Sequence, residues 1–191
     1  MEKTSAILTA RYPLTETSLI IQWCSAEAGL FKTVAKGALR PRSPFAGRLD
    51  LFVTCDVDFL RSRTSDLHIL KEVHLIDPRA GLRVSYARIL AGTYFCKLVE
   101  MVAERETPLD GIHELLRLSL DYLTEHEPRL LLVERFEKRL CELLGFGGES
   151  RESAALLADV FHRDLPPQRL ELLRTLTRKH EEGADSGSDF A

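Results

Sequence analysis

The chain has 191 residues, 45% of them hydrophobic and 29% charged, with a formal net charge of −3 at neutral pH. That length suits one large domain or two small ones, and the composition is ordinary for a globular protein. No apolar run reaches the roughly 18 residues of a membrane span, and the opening MEKTSAILTA has no basic stretch leading into an apolar one, so a cytoplasmic protein without a secretory signal is expected.

Up to about residue 77 the apolar pattern has period two, the mark of half-buried strands. Five strands are predicted, over 5–12, 17–25, 30–37, 50–61 and 67–77. Leu19, Ile21 and Trp23 alternate with Ile20, Gln22 and Cys24. Leu51, Val53, Cys55, Val57 and Phe59 point one way, and Thr54, Asp56 and Asp58 the other. Leu67, Ile69, Val73 and Leu75 continue the style, interrupted by Lys71. Pro13 with Thr15, Ala28-Gly29, the Pro41/Pro44/Gly47 stretch and Thr64-Ser65-Asp66 separate the strands. Five short strands in so few residues fit a small closed barrel, because closure removes exposed edges.

After Pro78 the period becomes helical. Val84, Ala87, Ala91, Tyr94, Phe95, Leu98 and Val102 form a first stripe. Thr107-Pro108 reads as an N-cap with proline at the first helical position, ahead of Ile112, Leu115, Leu116, Ser119 and Leu123. Pro128 opens a third helix with Leu132, Val133, Phe136, Leu140, Leu143 and Leu144 inward, and Gly145 ends it. Ser150 is the cap expected for a fourth, with Leu156, Leu157, Val160 and Phe161 inward. Asp164-Leu165-Pro166 starts a fifth, using Leu170, Leu173 and Leu176. The polar EEGADSGSDFA from Glu181 reads as a disordered tail. The expected fold class is therefore α+β, a five-stranded barrel over 1–78 and an all-α domain over 79–180, with a tail over 181–191.

The catalytic motifs sought are missing: the sequence has no Walker loop, GxGxxG, HExxH or GxSxG. His68 and His74 are about 20 Å apart along a strand, too far for one metal, and both are read as solvated. Asp56 and Asp58 are accounted for as the wet face of their strand. Cys24, Cys55, Cys96 and Cys141 are scattered, none in a CxxC pair, and read as core thiols. A non-enzymatic protein with no metal and no cofactor is expected.

Charge is uneven. Between Ala28 and Leu49 there are five basic residues, Lys32, Lys36, Arg40, Arg42 and Arg48, and no acidic one. Alternation puts Lys32 and Lys36 on one strand face, exposed because two ammonium groups would not be buried without partners. Arg40 and Arg42 follow in a proline-bearing loop. Five uncompensated cations suit a phosphate backbone, with Phe31, Phe45, Tyr12 and Trp23 the nearby aromatics, Trp23 read as core. Composition alone gives equal weight to a basic solubilising loop.

The stretch ETSLIIQWCSAEAGLFKTVAKGALRPRSPFAGRLDLF is similar to the N-terminal domain of the RecO family. Glu16-Thr17-Ser18-Leu19 resembles the entry to its second strand, and Val34-Ala35-Lys36-Gly37-Ala38 its third strand and turn. Arg135-Phe136-Glu137 through Gly145-Phe146-Gly147 resembles its central helix and Gly-aromatic-Gly end. The resemblance implies an OB-fold followed by a helical domain. It implies a nucleoid-associated mediator of DNA repair and recombination that binds single- and double-stranded DNA, anneals strands, and with RecR helps load RecA on gaps coated by single-strand-binding protein (SSB). Lys32, Lys36, Arg40, Arg42 and Arg48 inherit DNA contact by position, and Arg135 with Phe136 the SSB C-terminal tail, although Glu134 stands where a basic residue is expected. Many members carry a four-cysteine zinc module after the Gly-aromatic-Gly turn; here Gly148 runs into Glu149-Ser150 and no cysteine follows Cys141, so a shortened member without zinc is expected. The competing reading is an adaptor that docks SSB or another repair protein with little affinity for naked DNA.

Overall fold

A computed structural model describes residues 1–109, 111–148 and 151–185, with the side chains of 179–185 excepted. Its backbone divides into two compact units: Met1–Arg79 with Val99–Leu118, and Ala80–Leu98 with the chain from Ser119 onward.

The first unit is built on a closed barrel, as the period-two pattern predicts. Its strands are β1 (Glu2–Pro13), β2 (Leu19–Ser25), β3 (Gly29–Ala35), β4 (Thr54–Leu60) and β5 (Leu67–Asp77), in the order β1-β2-β3-β5-β4. Only β3 and β5 run parallel; the other neighbours are antiparallel. Inside lie Ala6, Leu8, Leu19, Ile21, Trp23, Phe31, Cys55, Val57, Phe59, Leu70 and Val73. The Trp23 indole is fully buried and its Nε1–H donates to Thr33 Oγ1 at 2.8 Å, so the one polar atom it brings inside is satisfied. Arg79 is also buried, and its Nη1 donates to Phe52 O and Thr54 Oγ1, both at 2.7 Å.

In β5 the structure corrects the expected phase. Phe59 pairs with Leu70 but Asp58 with Glu72, so Lys71 is an extra residue and the strand slips by one there. His68 and Leu70 therefore point in on one side of the bulge and Val73 on the other, while Leu67 and Ile69 are half-buried and Leu75 is 41% exposed. His68, expected in solvent, is 1% exposed and stacks against Phe59 with ring centroids 5.4 Å apart. Its Nδ1 accepts the Ser62 N–H at 3.2 Å and its Nε2 lies 3.1 Å from Glu106 Oε1. His74 is exposed as expected.

A second correction lies in residues 105–109. Thr107-Pro108 does not begin a helix. The Glu106 N–H donates to Leu30 O at 3.0 Å and the Leu109 N–H to Ala26 O at 2.9 Å, holding this stretch along the barrel in a non-helical path with Glu106 at φ +54°. Gly29, at φ +69°, allows the approach, because a Cβ there would stand 2.2 Å from Thr107 O.

The five α-helices among the described residues are α1 (Tyr86–Val102), α2 (Ile112–Glu125), α3 (Leu130–Leu143), α4 (Ser153–Phe161) and α5 (Gln168–Asp185). Val84, expected inward, sits in a preceding 3-10 turn at 73% exposure. α3 ends in a Schellman arrangement: the Gly145 N–H donates to Glu142 O, the Phe146 N–H to Cys141 O, and Gly145 has φ +88°. At the start of α4, Glu152 occupies the cap position without a side-chain bond; Ser150 lies outside the described residues. In α5 the residue turned inward is Leu172, whereas Leu170 is 55% exposed. α5 runs to Asp185, and residues 186–191 of the expected tail lie outside the described residues.

All four cysteines are buried thiols, and burial pushes the Cys24 and Cys55 thiols up to about 12. A thiolate-selective disulfide reagent at neutral pH is therefore expected to label none of them rapidly in the native protein and all four in denaturant. Fast labelling of Cys24 or Cys55 in the folded state would contradict this packing.

Candidate nucleic-acid interface

The basic stretch begins in β3 and continues through the turns that lead to β4. Alternation works as expected in β3: Phe31 and Ala35 belong to the core, while Lys32 and Val34 face out half-buried and Lys36, just past the strand, is exposed. Beyond it the chain folds as successive turns. The Arg40 N–H donates to Gly37 O, the Ser43 N–H to Arg40 O and the Arg48 N–H to Phe45 O, at 3.0–3.1 Å. Phe45 and Leu49, each 6% exposed, sink into the barrel core and anchor the loop, leaving Arg40, Arg42 and Arg48 outside.

The β1–β2 turn is tied to this loop. The Gly37 N–H donates to Ser18 Oγ at 3.2 Å and the Leu39 N–H to Thr17 O at 3.0 Å. Gly37 has φ +68°, and the Arg40 side chain folds back over it. Between them lies a groove of about 350 Å³ lined by Leu14, Thr15, Thr17, Val34, Lys36 and Arg40, among others. Thus Lys36 and Arg40 share one concavity. The Lys32 Nζ stands 5.9 Å from the centre of the Tyr12 ring. Arg48 is set apart from these: its Nη1 donates to Val73 O at 3.0 Å, on β5. Arg42 is exposed but does not line the groove.

Charge pairing distinguishes this stretch from three arginines of the same unit. Arg11 has Asp50 at 3.6 Å, Arg105 has Asp66 at 3.0 Å, and Arg61 bridges Glu2 and Glu106. Among the described residues, none of Lys32, Lys36, Arg40, Arg42 and Arg48 forms an ion pair with a carboxylate. Their charge is thus available to an outside anion.

Of the aromatic residues near the stretch, Trp23, Phe31 and Phe45 are core, which removes them as contacts for a ligand. Tyr12 is 36% exposed. The groove's Leu14, Thr15 and Thr17 were not picked out from sequence; the polar TET between Leu14 and Ser18 was the available signal, and the proximity of that turn to Gly37 is a tertiary fact.

In the second unit the pair proposed for a partner tail is split. Arg135 is exposed, but Phe136 is 1% exposed and stacks on Phe95 with centroids 4.1 Å apart. As packed, Phe136 offers a ligand no surface, because an aromatic among charged neighbours here fills the core. Elsewhere in that unit a groove of about 950 Å³ is lined by Leu130, Leu131, Leu173 and Leu176, with Arg129 among its other members.

Two family descriptions match the chain: Recombination protein O N terminal over residues 1–79 and Recombination protein O C terminal over residues 83–184. Among curated proteins, the chain is 30% identical over 145 residues to a DNA repair protein RecO from Syntrophotalea carbinolica, covering 74% of this chain and 55% of that one. It is 27% identical over 188 residues to a DNA repair protein RecO from Burkholderia pseudomallei, covering 97% and 64%. The chain spans about half to two thirds of the length of the curated relatives it matches.

Proposed function

Because the chain belongs to the RecO family of DNA repair proteins, we propose that its barrel holds DNA by the phosphate backbone through Lys32, Lys36, Arg40 and Arg42, with Arg48 a lesser contact. In this reading it is a non-enzymatic recombination mediator. It binds single- and double-stranded DNA, anneals complementary strands, and acts with RecR to place RecA on SSB-coated gaps. The observation that carries the proposal is the clustering of unpaired charge: five cations lie within one acid-free stretch and none pairs with a carboxylate among the described residues, whereas Arg11, Arg61 and Arg105 of the same unit are each paired with one. Ammonium and guanidinium groups left unpaired on an outer wall attract a polyanion without sequence preference, even though the chain's net charge is negative, because the local field governs encounter.

A second reading, an adaptor that docks the acidic SSB tail on its helical unit, is favoured by the groove at Leu130, Leu131, Leu173 and Leu176, with Arg129 beside it.

Annealing of complementary strands coated with SSB separates the two. If the cations contact DNA, the Lys32/Lys36/Arg40/Arg42→Ala variant loses annealing on bare and on coated strands alike. If the protein works as an adaptor, that variant anneals coated strands as the wild type does, and the DNA assignment fails.

A further inference from the structure

Tyr12 stands in a row that crosses the whole barrel. It pairs with Ile20, Ile20 with Val34, Val34 with Ile69, and Ile69 with Leu60. Neighbouring residues on these strands, Leu19, Ile21, Ala35, Leu70 and Phe59, belong to the core. The row therefore faces the other way, onto the outer wall. Tyr12 and Leu60 are 36% and 37% exposed, and Ile20, Val34 and Ile69 are half-buried.

An apolar line on the outside of a barrel is unexpected by strand alternation, which places polar groups there. It also sits among the unpaired cations. Lys32 lies one step along the strands, opposite Gln22 and Leu67, and Lys36 and Arg40 share their groove with Val34. At about 4.8 Å between strands, the five-strand row covers about 19 Å, against about 3.4 Å per nucleotide in a stacked strand. A duplex presents phosphates outward and keeps its base faces stacked within; only an unpaired strand offers flat apolar faces together with phosphates. The combination of an apolar line with flanking cations complements the second kind of polymer.

We propose that this row is a floor for the bases of single-stranded DNA, with Tyr12 its stacking residue and Lys32, held over the Tyr12 ring, serving the adjoining phosphate. The proposal rests on the DNA-contact reading above and adds a chemical distinction to it: single strands are held by bases and phosphates, duplexes by phosphates alone.

The test uses the full chain and fluorescence anisotropy with three probes of equal length: oligo(dT), an abasic deoxyribose-phosphate strand, and a duplex. The wild type should prefer oligo(dT) to the abasic strand. Tyr12→Ala should weaken oligo(dT) binding about ten-fold, the scale of one lost base stack, and leave the other two unchanged, while Tyr12→Phe keeps the wild-type value. The base floor is overturned if the wild type holds the abasic strand as tightly as oligo(dT), or if Tyr12→Ala weakens all three probes equally. In either case a continued loss of binding in the Lys32/Lys36/Arg40/Arg42→Ala variant leaves the phosphate contact standing. If the wild type binds none of the probes, both readings fall. The abasic comparison needs no variant, so it decides the matter even should Tyr12→Ala fold poorly.

Discussion

Between about 50 and 200 mM salt, affinity of the wild type for a single strand is expected to fall about 50- to 130-fold, and that of the Lys32/Lys36/Arg40/Arg42→Ala variant less than about three-fold. The arithmetic follows from counterion release. Each phosphate neutralised on a single strand contributes about −0.7 to the log–log slope, so the four contacts give about −2.8, Arg48 as a fifth brings the wild type toward about −3.5, and Arg48 alone leaves the variant at most about −0.7. Arg48 is kept out of the set for a structural reason: its Nη1 donates to Val73 O, so removing it also removes a tie between the loop and β5. Among the described residues the charged groups of the other four make no hydrogen bond, Lys32 having only the Tyr12 ring at 5.9 Å. Thermal stability of the quadruple variant should therefore match the wild type within about 0.5 kcal/mol per site. A wild-type slope near zero, or a variant whose slope equals it, would place the DNA elsewhere or remove it.

The barrel was legible in the sequence because one face of each strand is dry. In β4 the apolar and polar sets alternate from Thr54 to Phe59, and the structure reproduces their phase. In β5 both parities contain large apolar residues, Leu67, Ile69, Val73 and Leu75 on one and Leu70 on the other. A single-residue bulge at Lys71 then moves the inward set from even to odd positions. A period argument assumes constant register and has no means of detecting such a slip, which is why His68 was put in solvent. The false cap at Thr107-Pro108 has a similar origin: local propensity favours a helix start, but backbone bonds to Leu30 and Ala26, far away in sequence, hold the segment in another form. In α5, leucines at 170, 172, 173 and 176 define more than one stripe, and only packing selects Leu172. The basic segment was visible because charge composition is a local property. The apolar row across it was not, since it takes one residue from each of five strands and exists only once their register is fixed.

Replacing Glu137 with alanine is expected to destabilise the helical unit by about 3 kcal/mol. Its side chain is 2% exposed, in a charged run, ERFEKR, that from sequence reads as a solvated face. Glu137 Oε1 accepts from the Tyr94 hydroxyl at 2.6 Å and from Arg169 Nε at 2.7 Å, and Oε2 accepts from Arg169 Nη2 at 3.2 Å. One carboxylate thus joins α1, α3 and α5. Burial and the carboxylate together push the Tyr94 phenol well above its usual range, and the hydrogen bond from Arg169 to Glu137 raises the guanidinium further. Breaking a buried pair by removing one partner costs about 3–5 kcal/mol. The lower end applies because Arg169 is 18% exposed and retains Glu152 at 3.2 Å. Glu137→Leu combined with Arg169→Met should recover much of the loss, as no uncompensated charge then remains inside. Urea unfolding of the two single alanine variants and their double would measure the coupling; additive costs would show that the pair does not act as a unit. The same reasoning governs Phe136. Its ring lies against Phe95 in this core, so Phe136→Ala should itself cost about 3–5 kcal/mol. Loss of SSB-peptide binding in that variant would then report unfolding, whereas Arg135→Ala, at an exposed position, tests the tail contact without disturbing the core.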